Sequence, residues 1–197
     1  VSPINARRKY ISLINNETKN AKKGLPAFIH IKINNLVDPQ LIDKLYEASQ
    51  NGVKIKLLVR GICCLIPGIK GLSQNIEILS IVDRFLEHTR FLVFGNNDKP
   101  LYFITSADWM ERNLDKRIEV GAPIFDEAIQ EQIKLIFAMQ WGDREKARII
   151  DKMQKNSYKE ASGHEAVIRS QVELQNHYRH LIELKEAEKK QNQQSSS

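Results

Sequence analysis

Apolar residues recur along the chain with two different periods. Alternating or short continuous apolar runs predict strands, and apolar residues spaced three and four apart predict helices. The strands are predicted at residues 27–33, 53–59, 76–82, 90–94, 101–105 and 120–125. Helices are predicted at residues 2–23, at 38–51, briefly from 108, and after 126. From Arg144 onward the charged sequence predicts helical pieces, followed by a polar tail at residues 191–197.

Residues typical of helix starts and ends mark the bounds of the first two predicted helices. Ser2 followed by Pro3 is typical of a helix start, and Gly24 of a helix end. Asp38 followed by Pro39 predicts the start of the helix that separates the first two strands. Because a strand, a helix and a strand in succession form a parallel unit, we expect an α/β fold. The expected sheet is mixed and mostly parallel, is flanked by helices, and has a helical extension at the carboxyl end.

Length and composition restrict the class of protein. The chain has 197 residues, of which 42% are hydrophobic and 27% charged, so we expect one ordinary packed domain and not a disordered chain. Charges such as Arg60 interrupt the longest apolar runs, so no membrane-spanning segment is predicted. The only cysteines, Cys63 and Cys64, are neighbours, which is typical of a reduced protein and leads us to expect a cytoplasmic location.

The net charge of +6 is concentrated at the start of the chain. Residues 1–32 contain seven Lys or Arg and one Glu. Such a segment attracts nucleic acid, phosphate chains or acidic membrane surfaces, so association with a membrane surface is also compatible with it. A solvated helix face explains the same charges equally well.

An arginine follows directly after the second predicted strand. Arg60 would lie at the carboxyl edge of the sheet, where open α/β folds bind ligands. Its planar guanidinium suits phosphate oxygens, and Gly61 would let a ligand approach the backbone closely. An ion pair with a neighbouring carboxylate is the alternative.

A histidine and a second arginine precede the fourth predicted strand. At strand spacing His88 and Arg90 share one face, so an imidazole and a fixed positive charge could converge on one anion. A structural histidine is the alternative interpretation.

Two further segments carry candidate phosphate contacts. Lys32 and Asn34 share a face of the first strand, and Ser106 and Asp108 lie where a strand leads into a helix. The alternative for Ser106 and Asp108 is a capped helix with a buried tryptophan, and the residue types alone favour that interpretation. His30 and Lys32 begin an H-x-K-x4-D pattern, but Val37 occupies the aspartate position, so we do not expect His30 to be catalytic.

Four motifs together resemble the last, phospholipase-D-like domain of bacterial polyphosphate kinases. They are Lys32-Ile-Asn-Asn-Leu-Val-Asp38, Leu58-Val-Arg-Gly-Ile-Cys-Cys64, Ser80-Ile-Val-Asp-Arg-Phe-Leu-Glu-His88 and Ser106-Ala-Asp-Trp-Met-Glu-Arg-Asn113. The similarity runs in order from residue 2 to about residue 150. It implies a phospholipase-D-like domain at 1–150, followed by a helical extension and polar tail at 151–197.

The resemblance implies a function that the spacing of residues does not show. Enzymes of this family reversibly transfer the terminal phosphoryl group of ATP to inorganic polyphosphate, with Mg²⁺. Arg60 and His88 match the residues that contact the ATP phosphates. The phosphorylated histidine, the Mg²⁺ ligands and the adenine contact belong to upstream domains, so no metal ligands are expected in this chain. The resemblance further implies that upstream domains of the same chain and a homo-oligomer are the protein partners, and that nucleic acid is not a partner.

Two positions depart from the phospholipase D pattern. Arg90 stands where lysine is usual, and Gly95 stands where the orienting aspartate would be. His88 therefore fits a general acid or base, or a transition-state partner, better than a covalent nucleophile. Two alternatives remain: a phospholipase-D-like phosphodiesterase or phosphatidyl transferase, and a non-catalytic basic module that binds polyanions.

Overall fold

The fold is built around one mixed sheet of eight strands. A computed structural model describes residues 1–160 and 167–194 of the chain. The strands lie in the order β6-β5-β4-β1-β2-β3-β7-β8. Their bounds are β1 Phe28–Ile33, β2 Lys54–Val59, β3 Ile76–Ile81, β4 Phe91–Phe94, β5 Leu101–Thr105, β6 Gly121–Ile124, β7 Ala147–Ile150 and β8 Ser157–Tyr158.

Helices cover both faces of this sheet. Their bounds are α1 Ala6–Lys22, α2 Pro39–Gln50, α3 Glu127–Trp141 and α4 Ser170–Gln194. Apolar residues of α1 and α2 form one core with the sheet, and Ile133 and Phe137 of α3 form a second core on the opposite face. α4 packs against α3. The predicted α/β fold with flanking helices is therefore confirmed.

The central strand β2 ends in a continuous apolar run, Leu57-Leu58-Val59, because this part of the strand is buried on both faces. Ile55, Leu57 and Val59 face the core under α1 and α2, whereas Leu58 faces the core under α3. Because the second half of the strand is buried on both faces, Leu57, Leu58 and Val59 follow one another without a polar residue, whereas Lys54 and Lys56 flank Ile55 in the first half.

The expectation of a mostly parallel sheet is wrong. Only the β1–β2 and β2–β3 pairs are parallel, and the other five pairs are antiparallel. A parallel pair needs a long crossover, which α2 supplies between β1 and β2. The connection between β4 and β5 spans only residues 95–100, so it forms a hairpin.

Three predicted helical segments also differ in the structure. α1 begins at Ala6 and not at Pro3, because the backbone of Ser2 pairs with Glu119. The short helix expected from residue 108 is a π-helical turn at Arg112–Lys116. Residues 147–158 contain two strands instead of helical pieces, because β3 leaves an open edge that β7 covers.

The carboxyl end of the chain is helical as expected. α4 includes the first part of the predicted polar tail, and residues 195–197 lie outside the described residues. The division at residue 150 stays a prediction; the sheet itself continues past it through β8. Among residues 1–160 and 167–194, no helix combines the length and the apolar character that crossing a membrane requires.

Because of the strand order, the connection between β3 and β4 crosses the carboxyl edge of the sheet. β3 and β4 lie on opposite sides of the parallel β1–β2 pair. The connection at residues 82–90 must therefore cross the carboxyl ends of β2 and β1, a span of about 14 Å at the usual strand spacing. This topology brings Glu87 and His88 to the edge at which β1 and β2 end.

Candidate active site

Four charged or polar side chains line a narrow depression at the carboxyl edge of the sheet. Lys32 and Asn34 come from the end of β1, Arg60 from the end of β2, and Glu87 from the β3–β4 connection. Lys32, Asn34 and Arg60 lie close together because the parallel strands β1 and β2 end at the same edge of the sheet. Ile33, Leu58, Val59 and Ile81 complete the lining.

Arg60 presents an unsatisfied donor in this depression. Its backbone is held on both sides, because its N–H donates to the Ile33 carbonyl at 3.3 Å and its carbonyl accepts from Ser80 Oγ at 3.1 Å. In the part of the chain that the structure describes, the buried Nη1 of its guanidinium has no hydrogen-bond partner. A buried unpaired donor is costly, so this atom is suited to an anionic ligand. The alternative of an ion pair for Arg60 has no support among the described contacts.

Gly61 serves packing rather than ligand approach, which corrects the expectation from the sequence. A Cβ at this position would lie 2.8 Å from Asn35 Oδ1 and 3.1 Å from the Asn34 carbonyl oxygen. The Gly61 N–H donates to that carbonyl at 2.7 Å. The glycine therefore brings the end of β2 against the end of β1 and sets Arg60 beside Asn34.

Lys32 is almost fully buried and forms an ion pair with Glu87. Its Nζ donates to Glu87 Oε2 at 2.7 Å and to Gln140 Oε1 at 2.9 Å. Burial lowers the pKa of Lys32, the nearby charge of Arg60 lowers it further, and Glu87 opposes the change. Burial acts to raise the pKa of Glu87, but the ammonium of Lys32 and the bonds from Gln171 and Gln140 outweigh it, so that pKa is lowered.

Asp108 connects Arg90 to the end of β1. Its Oδ1 accepts from Arg90 Nε and from the Asn34 N–H, both at 2.8 Å, and its Oδ2 accepts from Asn35 Nδ2 at 2.9 Å. Burial acts to raise the pKa of Asp108, but these donors, led by Arg90, lower it overall. With the Asn34 amide oriented towards Arg90, Asn34 Nδ2 also donates to the Glu87 carbonyl at 3.1 Å.

Arg90 and Asp108 thus bond mainly to each other and to neighbouring residues of the chain, which stabilises the end of β1. Asp108 is 4% exposed, and its oxygens are occupied by donors of this chain. Arg90 is half-buried and also donates to the His88 carbonyl at 3.1 Å. Both remain candidate phosphate contacts only by prediction.

His88 lies on the connection that crosses the depression, directly after Glu87. Its side chain is exposed. The expectation that His88 and Arg90 share a strand face is wrong, because β4 begins at Phe91 and the two residues precede it. That Arg60 and His88 contact the same phosphate group stays a prediction.

Ser106 contacts residues outside the depression. Its Oγ hydrogen-bonds Glu119 and accepts from the Val120 N–H at 3.1 Å. These contacts join the end of β5 to the segment before β6, away from the residues that line the depression. A phosphate contact for Ser106 stays a prediction that this geometry does not favour.

Two positions that were compared with the phospholipase D pattern, His30 and Gly95, have structural explanations. His30 stacks between Phe28 and Phe137, with ring centroids 4.7 and 4.6 Å away, and burial lowers its pKa to about 4. A Cβ on Gly95 would lie 2.6 Å from the Phe28 ring, so the aspartate of that pattern has no room there. His30 is therefore a core residue, in agreement with its exclusion from the candidate site.

Sequence reasoning missed the amide side chains that support Glu87. Gln140 Nε2 donates to Glu87 Oε2 at 2.6 Å, and Gln171 Nε2 donates to Glu87 Oε1 at 2.9 Å. Gln140 left a signal in the sequence: it is a polar residue seven positions after Ile133 and three after Phe137, on the buried face of α3. No comparable signal marks Gln171.

The described residues do not form a metal site. Across residues 1–160 and 167–194, no three His, Cys, Asp or Glu side chains come together in a group that could hold a metal ion. The carboxylates at the candidate site are Glu87 and Asp108, and both are paired with cations. These residues therefore do not fit a resident Mg²⁺.

Comparison with known proteins agrees with this architecture. The polyphosphate kinase of Vibrio cholerae is 51% identical over 181 residues, which are 92% of this chain and 26% of that protein. The crystal structure of the polyphosphate kinase from Porphyromonas gingivalis matches with a TM-score of 0.86 and 40% identity over 93% of this chain and 28% of that one. The chain thus spans about a quarter of the length of these relatives.

A more distant structure shows how widely the fold occurs. A phospholipase D family member from Salmonella typhimurium matches with a TM-score of 0.54 and 15% identity, over 74% of this chain and 91% of that one. This similarity extends to the fold alone. The model of the family "Polyphosphate kinase C-terminal domain 2" matches residues 1–171, which include α1, the candidate site and the first two residues of α4. The chain therefore belongs to the family of polyphosphate kinase carboxyl-terminal domains.

Proposed function

We propose that this chain contributes the ATP-phosphate half of the active site of a polyphosphate kinase. The reaction is the reversible transfer of the terminal phosphoryl group of ATP to inorganic polyphosphate. Family membership supports it, as do relatives named polyphosphate kinase. The observation that carries it is the buried, unpartnered Nη1 of Arg60 in a depression that also contains Lys32.

The chemistry of the cluster fits phosphoryl transfer. This reaction needs in-line positioning and stabilisation of charge on the transferred oxygens, with little covalent work by the protein. Arg60 offers a permanent positive charge and donors in a planar fork. Two of the three N–H groups of Lys32 are used by Glu87 and Gln140 within the described part of the chain, so Lys32 can add one further donor.

His88 would act on a phosphoryl group that another domain holds. Its imidazole is exposed, and imidazole is a side chain that serves as a general acid or base in many enzymes. The lack of room for an aspartate at Gly95 supports this role over that of a covalent nucleophile. The phosphorylated histidine, the adenine contact and the Mg²⁺ ligands then belong to upstream domains, and we derive no step through a metal on this chain.

The remaining partners follow from the same proposal. Polyphosphate is a dense polyanion, which exposed basic residues of α1, such as Arg8 and Lys9, would attract. Arg7 is less suited to this role, because it is paired with Asp38 and Asp115. A homo-oligomer and a cytoplasmic location, with association to acidic membranes, belong to the proposal as well.

The decisive experiment replaces Arg60 in the full-length enzyme that carries this chain. Arg60→Met should lower kcat/KM for ATP by roughly a hundredfold, since loss of one preorganised donor to a transition-state oxygen has about that effect. Arg60→Lys should restore only part, because lysine lacks the planar fork. Arg117→Met, at an exposed arginine outside the depression, is the matched control. Unchanged kinetics for Arg60→Met would remove Arg60 from the site.

A binding comparison separates this function from a basic polyanion-binding module. The protein should bind polyphosphate more tightly than single-stranded DNA at equal ionic strength, and Arg60→Met should weaken only the binding that depends on the depression. Equal affinities that fall together as salt rises would indicate a nonspecific basic surface instead.

A further inference from the structure

The segment at the start of α4 forms hydrogen bonds with the β3–β4 connection, which contains His88. This entry segment comprises residues 168–171. Gln171 Oε1 accepts from the Phe85 N–H at 2.9 Å, and Gln171 Nε2 donates to the Phe85 carbonyl at 2.8 Å. The same Nε2 donates to Glu87 Oε1 at 2.9 Å. One side chain thus holds the backbone three residues before His88 and the side chain directly before it.

A second contact lies at Asp83, two residues before Phe85 on the same connection. Arg169 donates to the two carboxylate oxygens of Asp83, from Nε at 3.0 Å and from Nη2 at 2.7 Å. Asp83 Oδ1 also accepts from the Arg84 N–H at 2.7 Å. This two-bond geometry fixes direction as well as distance. It anchors the connection at the point where it leaves β3.

The entry segment is itself anchored to the body of the domain. Asp143 is fully buried, and its Oδ2 accepts from the Ser170 N–H at 2.7 Å. Its Oδ1 accepts from the N–H groups of Glu145, Lys146 and Ala147, which lead into β7. The entry segment therefore has a rigid base from which it can position the connection.

We propose that Gln171 and Arg169 are positioning residues for His88. The inference rests on the proposed function, since it assigns them a part in phosphoryl transfer. The β3–β4 connection contains no regular secondary structure, so its own backbone does not fix where His88 lies. Gln171 and Arg169 hold it over the ends of β1 and β2, and Glu87 is held against Lys32 by the same contacts. A displacement of His88 by about 1 Å would reduce turnover by a large factor.

The test uses three variants in the full-length enzyme. Gln171→Asn keeps an amide on the helix but shortens its reach by one methylene, and Arg169→Ala removes the two bonds to Asp83. Arg169→Lys keeps the charge and should recover part of the loss. Arg179→Ala, at an exposed arginine further along α4, is the control for a general effect on the helix.

Two measurements are needed, because a purely structural role could also reduce activity. Gln171→Asn and Arg169→Ala should each lower kcat by roughly tenfold or more, with the KM for ATP changed by less than about threefold. Amide hydrogen exchange should accelerate at residues 84–88 and stay unchanged in β1 and β2. Arg179→Ala should match the wild type in both measurements.

Three outcomes would overturn the inference. They are an unchanged kcat in both variants, a loss of kcat without faster exchange at residues 84–88, and an equal loss in Arg179→Ala. Failure of the proposed function would look different, because the wild-type enzyme itself would then make no polyphosphate from ATP. Failure of the positioning role would appear instead as one of these three outcomes in an enzyme whose wild type is active.

Discussion

The carboxylate of Glu87 accepts a hydrogen bond at 2.7 Å from the ammonium of Lys32, although 55 residues separate them along the chain. Lys32 lies within β1, and Glu87 lies on the connection that crosses the end of that strand. The pair therefore joins the wall of the candidate site to the segment that carries His88. A change at either residue should affect both the stability of the fold and the geometry of the site.

Removal of the charge of Lys32 should destabilise the protein. Lys32→Met leaves the largely buried Glu87 carboxylate without its cation, which we expect to lower the free energy of unfolding by about 2–3 kcal/mol. The double variant Lys32→Met/Glu87→Gln removes both charges and should recover most of that loss. Urea denaturation measures both values. Equal destabilisation of the single and the double variant would contradict an ion pair between these residues.

Acid should destabilise the fold through Glu87 and Asp108. Their pKa values lie below the ordinary 4.5 and 3.8, so the folded state binds fewer protons than the unfolded state in that range. Their contribution to stability is complete above the ordinary values and is lost as the pH falls through the lowered ones. Urea midpoints between pH 6 and pH 3 should therefore fall, and less steeply for Glu87→Gln. Glu131→Gln, at an exposed pair, should follow the wild-type curve.

His30 should titrate near pH 4 and have no part in turnover. Burial between Phe28 and Phe137 lowers its pKa to about 4, so it is neutral at pH 7. The imidazole resonances of His30 in an NMR titration should report this value. His30→Phe should keep kcat within about twofold, because the stack is apolar. A loss of activity comparable to that of His88→Ala would show that His30 belongs to the site.

Any side chain at position 95 should strain the hairpin between β4 and β5. Gly95→Ala places a Cβ 2.6 Å from the Phe28 ring, and we expect a loss of about 1–3 kcal/mol in the free energy of unfolding. Gly95→Asp should cost more, because it also buries a carboxylate. If the ring is the cause, Gly95→Ala should be nearly neutral in a Phe28→Ala background. Equal costs in both backgrounds would point to the backbone instead.

The chain by itself should bind ATP or polyphosphate weakly and turn neither over. The depression is lined by Arg60 and Lys32, and His88 is its proposed partner, but the described residues include no group of side chains that could hold a metal ion. A polyphosphate synthesis assay with the isolated 197 residues, beside the full-length enzyme, tests this. Full turnover by the isolated chain would refute the proposal of a divided active site.

Much of the candidate site could be predicted because it follows from strand ends. Arg60 and Lys32 lie next to strand ends that apolar runs mark, and parallel neighbours end at one edge of a sheet. The partners of Glu87 could not be predicted in the same way. Gln140 and Gln171 lie 53 and 84 residues away from it; the pattern of α3 marks Gln140 as a buried polar residue but does not indicate its partner, and no signal marks Gln171. Gly61 was assigned to the site, whereas its contacts show that it serves packing.

The sequence by itself determined the family and most of the elements up to residue 141, with their order, because apolar periodicity and turn residues act over a few positions and because the four motifs are specific. Tertiary structure alone decided which donors are satisfied. Arg90 is paired with Asp108, whereas Arg60 keeps an unpartnered donor among the described residues. The physical reason is that hydrogen bonds and burial depend on distances of a few ångströms between residues far apart in the chain. The sheet order sets those distances, and it leaves the guanidinium of Arg60 available at the edge where β1 and β2 end.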